Sequence, residues 1–183
     1  MMDEYELFMI YLKELQKETP RGAVVLSGVV LADLLGKTLE NYLINHKDVK
    51  GLLYGGISAP LGTFSARILM AFGLRLIDEK EYQNLQVLRK IRNHFAHNLQ
   101  ASFDDQKIKD LCKLLDVSGM LPHAIDTPAK KYNSVATMLA VILRNRPSMS
   151  IGRKFGELGW EDRVRKHLKQ MMRNEKANSS KKN

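Results

Sequence analysis

The sequence predicts a single all-α domain, a bundle of about six or seven helices, followed by a basic C-terminal extension. Three observations carry that reading. Apolar residues recur at steps of three and four along most of the chain, the period of one helix face. Turn residues fall between these stretches at helix-length intervals. The composition is globular, with 44% apolar and 27% charged residues in 183.

The elements follow in chain order. Tyr5, Phe8, Met9, Leu12 and Leu15 form an amphipathic stripe, and Pro20 ends that helix or opens the next. The run from Arg21 to about Asn45 is apolar and long, and its leucine steps make it the central helix. His46 to Thr63 reads as a loop, punctuated by Gly51, Gly55, Gly56, Pro60 and Gly62. A short helix spans about Phe64–Phe72, with Gly73 as its expected C-cap. Asp78 and Glu81 form a capping box for the best-marked helix, whose inward stripe is Tyr82, Leu85, Leu88, Ile91 and Phe95. Asp104 or Asp105 caps the next, with Ile108, Leu111, Cys112 and Leu115 inside. After a connector over 117–126, Thr127–Pro128 is an N-cap followed by proline at the first helical position. Val135, Met138, Leu139 and Ile142 carry that helix to about Leu143. Trp160, Val164, Leu168 and Met171 mark a last, basic amphipathic helix, and the chain frays beyond it. The organisation is thus a helical domain over 1–145 and a basic tail over 146–183.

Charge divides the chain in the same place. Residues 1–143 hold 17 Lys/Arg against 16 Asp/Glu, whereas residues 144–183 hold 12 against 4. A near-neutral body with a cationic tail suggests a polyanion near the tail, RNA or DNA. A single cysteine, Cys112, excludes an internal disulfide and a cysteine-rich zinc site, and fits a reducing cytoplasm. Acidic Asp3, Glu4 and Glu6 argue against a secretory leader. The longest uncharged run, Gly51 to Ala66, is interrupted by Gly55, Gly56, Pro60 and Gly62, so no membrane span is expected. Phosphate-cradling glycine motifs and a serine nucleophile elbow are absent, and no cofactor is expected.

Chemistry concentrates in Ile91-Arg92-Asn93-His94-Phe95-Ala96-His97-Asn98. His94 and His97 lack a zinc-type pattern and a third ligand, so no metal is expected. Asn93 and His97 lie one turn apart on one face. A guanidinium offers paired donors to phosphate, and an imidazole moves protons near neutral pH. The same residues could instead satisfy carbonyls at the helix end, with His94 in solvent and His97 a hydrogen-bonded core histidine.

Arg92-Asn93-His94-Phe95-Ala96-His97 resembles the Arg-x4-6-His signature of HEPN domains. That resemblance implies an all-helical fold and a metal-independent ribonuclease of toxin, defence or RNA-processing type, with a composite site across a homodimer. Arg92 would hold phosphate, His97 would move the proton, and Asn93 would orient one of them. A longer stretch, Ala59 to Asn98, resembles the mannitol operon repressor family. Pro60-Leu61-Gly62 with Ser65 and Arg67, Gly73-Leu74 with Ile77, and Glu81-Tyr82 with Leu88, Arg92 and His97 carry it. Phe103-Asp104-Asp105 and Ile108 extend it to residue 108. This second resemblance implies a helical transcriptional regulator without a helix-turn-helix, acting mainly through a protein partner, regulator or antitoxin-like. A non-catalytic interaction module is the third reading. The apolar segment Leu52, Leu53, Tyr54 and Ile57 is the expected homodimer patch.

Arg163, Arg165, Lys166, Lys169 and Arg173 are the expected nucleic-acid contacts. Five phosphate contacts correspond to a slope of log affinity on log salt of about −3.5 for single strands and about −4.5 for duplex. Removing residues 161–183 is expected to weaken binding to RNA and duplex DNA in a salt titration while the body stays helical. Unchanged affinity would leave the tail as a solubilising or docking element.

Overall fold

The computed structural model describes residues 4–43, 45–146, 162 and 164–169, and the fold is all-α. Its body comprises α1 (Glu4–Lys17), α2 (Pro20–Tyr42), α3 (Lys47–Tyr54), α4 (Phe64–Gly73), α5 (Glu79–His97), α6 (Gln106–Lys113) and α7 (Pro128–Arg144). Single 3-10 turns occur at Gly56–Ser58 and Pro122–Ala124, and there is no strand among the described residues.

Helix α2 is the hub, packing against α1, α3, α4, α5 and α7. Leu31, Leu35 and Leu39 are fully buried along it, facing partners such as Ile68, Leu85, Leu88, Ile91, Phe95, Val135 and Leu139 in one continuous core. By length and composition α2 could cross a membrane, contrary to the expectation of no such segment, at a mean hydropathy of 1.6. In the bundle 56% of that apolar window is buried against other helices. A helix packed on most sides is apolar nearly all round, so the property follows from its central place.

The local signals act as read at several helix starts. Pro20 opens α2 behind Thr19, whose hydroxyl accepts from the Gly22 amide at 3.1 Å. Asp78 and Glu81 close the reciprocal capping box, each bond 2.8 Å. Thr127 caps α7 by accepting from the Lys130 amide.

Two expectations are corrected, the loop over 46–63 and the Gly73 cap, and the choice between Asp104 and Asp105 is decided. The segment read as a loop contains α3, because His46 caps it through the Asp48 amide and only Gly51 falls inside it. Gly73 is the last residue of α4 rather than its cap. The left-handed position falls on Arg75, at φ 56°. There the Arg75 amide donates to Phe72 and the Leu76 amide to Ala71, closing a Schellman turn over buried Leu76. Asp105, not Asp104, caps α6, but its carboxylate accepts from the Ser102 amide instead of from the helix.

Arg67 ties the hub to its neighbours. Its Nε donates to the Leu61 carbonyl (2.9 Å), Nη1 to Ala32 (2.8 Å) and Nη2 to Leu53 (3.0 Å). The guanidinium also lies over the Tyr54 ring. One buried side chain thereby joins α2, α3, the 59–63 turn and α4. Gly36 makes room for it, since a Cβ there would sit 2.9 Å from Nη1. At the other end of the bundle, buried Glu81 pairs with Arg146, which also donates to the Leu76 carbonyl.

Gly36→Ala is expected to lower stability by about 2–4 kcal/mol despite the better helix propensity of alanine, because Arg67 must give up bonds in a buried network. Chemical denaturation followed by circular dichroism reads it; an unchanged midpoint would show that Arg67 can relocate without loss.

Candidate functional site

The C-terminal turns of α5 bring Arg92 and Asn93 together. Arg92 Nη1 donates to Asn93 Oδ1 at 3.1 Å, and both residues are half-buried. Its aliphatic stem crosses α2 at Gly28, where a Cβ would stand only 2.8 Å from Cγ. Its other guanidinium N–H groups make no hydrogen bond to the described residues. His97 lies one turn beyond Asn93 on the same face, exposed, with no hydrogen bond or ion pair to the described residues.

The histidines reverse the structural alternative. His94 Nε2 stands 3.7 Å from Asp105 Oδ2, and its side chain is 19% exposed. His97 is the solvent-facing one. The helix period explains this: position 94 follows core residue Ile91 by three, whereas 97 follows buried Phe95 by two and turns about 200° away. No cluster of three metal-ligating side chains occurs among the described residues.

The carbonyls at the end of α5 are satisfied from elsewhere. Arg21, at the start of α2, donates to the Phe95, Asn98 and Leu99 carbonyls, the last two at 2.7 and 2.6 Å. Its guanidinium also sits over the Phe95 ring, 5.8 Å from the centroid. Asn98 caps the helix through its backbone amide to His94. Arg92, Asn93 and His97 are therefore not the cap. Arg21 had no signal in the sequence, lying 74 residues from the first carbonyl it serves.

Behind Arg92 lies a buried hydroxyl cluster. Tyr132 of α7 is fully buried, and its hydroxyl donates to the Val24 carbonyl at 3.3 Å. Burial drives its pKa far above the ordinary tyrosine range, with the nearby Arg92 charge opposing the shift. Ser27 donates to the Ala23 carbonyl. The Tyr11 hydroxyl is buried beside it without a well-aligned partner, and burial raises its pKa too. Phe103 packs between Phe95 and Tyr132, at centroid distances of 5.2 and 5.7 Å.

The remaining site expectations divide. In the expected dimer patch Leu53 is buried, because α3 turns it inward against the core, while Leu52 and Tyr54 are exposed. Tyr54 donates to Glu40 at 3.1 Å, and burial followed by that carboxylate lifts its pKa to about 12. In the tail, Arg163 and Arg173, like Trp160 and Met171, lie outside the described residues. Residues 164–169 are helical; Val164 is fully buried in the core and Leu168 packs against it. Arg165, Lys166 and Lys169 are exposed, with Arg165 3.9 Å from Asp162. Burial lowers the pKa of half-exposed His167.

No protein-family model, curated protein or solved structure matches the chain.

Arg21→Met is expected to cost about 1–3 kcal/mol by leaving carbonyls at the end of α5 without donors. Amide exchange over residues 97–101 should accelerate more than in the α2 core. Uniform acceleration would show that Arg21 serves global stability instead of the α5 terminus.

Proposed function

We propose that the protein is a helical regulator of the kind that Ala59–Asn98 resembles, acting through contact with a protein partner at the α5 corner. One observation carries this reading. Two arginines cross α2 at glycines, yet they end differently. Arg67 has its three nitrogens bonded to carbonyls, whereas Arg92 bonds only Asn93 among the described residues and keeps further donors without a partner there, with exposed His97 further round the same helix end. A half-buried guanidinium of this kind is suited to an acidic group on a partner, because its planar fork matches a carboxylate. The other residues of the long resemblance support it as architecture. Arg67 holds the 59–63 turn, Glu81 closes the capping box, and Phe103 packs behind the motif helix.

A metal-independent ribonuclease is the second reading, favoured by the pairing of Arg92 with Asn93 and by the unengaged imidazole of His97. The open guanidinium donors would then meet phosphate, and His97 would exchange the proton of an attacking 2′-hydroxyl. Exposed Arg165, Lys166 and Lys169 give either reading a route to RNA or DNA. Because Val164 is buried, neutralising those three cations is a cleaner test of that route than truncation.

Transcript profiles of a host lacking the gene, complemented with wild type, Arg92→Ala or His97→Ala, separate the readings alongside incubation of the purified proteins with labelled single-stranded RNA. The regulator reading expects a restricted transcript set to change, Arg92→Ala to fail in restoring it, and no RNA cleavage. Cleavage that His97→Ala lowers by about 10²-fold or more would replace it with the ribonuclease reading. Full complementation by Arg92→Ala without cleavage would remove the α5 corner from both.

A further inference from the structure

We propose that Gly28 is a positioning residue, whose missing side chain is the seat that holds the Arg92 guanidinium at the α5 corner. The inference rests on the reading of that corner as a contact site and names what aims its arginine. Gly28 is buried in the interior of α2, where glycine is the poorer helix former. Its place is explained by what crosses it. A Cβ at position 28 would lie 2.8 Å from Arg92 Cγ and 3.5 Å from both Cδ and Nε. The closest atom belongs to the root of the side chain, so displacement there is levered outward along Cδ and Nε to the charged group. Movement of a flexible tip would not relieve it.

Two features then fix the guanidinium: Gly28 admits the stem, and Asn93 Oδ1 takes Nη1. The turn of α2 just before the seat carries the hydroxyl of Ser27 and receives, at the Val24 carbonyl, that of Tyr132. The Arg92 charge lies near enough to the Tyr132 hydroxyl to oppose the rise in its pKa, which places this half-buried arginine beside the buried polar cluster. An arginine held in this way has lost much of its rotamer freedom before any partner arrives, and less entropy remains to be lost on binding an anion. Gly36 supplies the internal comparison. The same device two turns along α2 seats Arg67, but there the guanidinium nitrogens are all engaged, so that seat serves architecture. At Gly28 the seated group still has donors to offer.

The test reads Arg92 directly. Nitrogen-15 spectra of the full chain resolve arginine Nε–Hε groups, and Arg92→Lys identifies the Arg92 signal by its loss. In wild type that signal should be displaced from those of mobile arginines. Gly28→Ala should return it to the mobile position, and should lower the thermal midpoint less than Gly36→Ala because Arg92 gives up one bond where Arg67 gives up three. Asn93→Ala, a half-buried surface change that leaves the core intact, should move it part of the way and serves if Gly28→Ala does not fold. Inorganic phosphate is the anion probe: titration should shift the wild-type signal, and Gly28→Ala should weaken that response about tenfold. A wild-type signal already at the mobile position, or one that stays displaced in both variants, overturns the seat. Release of Arg92 by Gly28→Ala with no phosphate response in wild type keeps the seat and removes the anion-contact reading instead.

Discussion

The fold depends on burying α2 on most of its circumference. A helix in that position must be apolar nearly all round, and its neighbours must approach closely enough to exclude water. Leu31, Leu35 and Leu39 supply the packing, while Gly28 and Gly36 supply the close approaches. Each fully buried leucine contributes about 1.5–3 kcal/mol relative to an exposed one. The two glycines cost helix propensity but let long side chains lie against the hub, the stem of Arg92 at Gly28 and the guanidinium of Arg67 at Gly36. Both are used by arginines that come from different helices.

Those arginines, with Arg21 and Arg146, do much of the long-range tethering. Arg67 gathers carbonyls from α2, α3 and the 59–63 turn, Arg21 closes the far end of α5, and Arg146 meets Glu81 and the Leu76 carbonyl at the near end. Helix ends and turns leave carbonyls without partners, and a guanidinium can serve several from one point. Removing such a group leaves buried acceptors unmatched, so these contacts specify the arrangement as well as stabilise it. Arg92 stands apart because its one partner among the described residues is the half-buried side-chain amide of Asn93. The functional reading follows from that difference in engagement.

Much of the helical architecture was legible because its signals are local. The capping box at Asp78–Glu81, the Thr127–Pro128 start and the stripe Leu85, Leu88, Ile91 and Phe95 each depend on residues within a few positions of one another. Where a local rule competed with packing, it misled. Glycines at 51, 55 and 56 suggested a loop, yet α3 forms, capped by His46 and with Leu53 buried in the core. Gly73 suggested a cap, but the turn places its left-handed residue at Arg75, so that Leu76 can enter the core.

The sequence by itself determined the all-α class, the principal helices and the chemical types gathered at the end of α5, because periodicity, capping and composition are properties of neighbouring residues. Only the tertiary structure decided which of those types are engaged. His94 turns toward Asp105 and His97 toward solvent. The α5 terminus is capped by Arg21 instead of by its own side chains, and Arg92 rests on a glycine 64 positions earlier in the chain. Such pairings are set by how helices cross, and a one-dimensional pattern records each residue without recording what lies across from it.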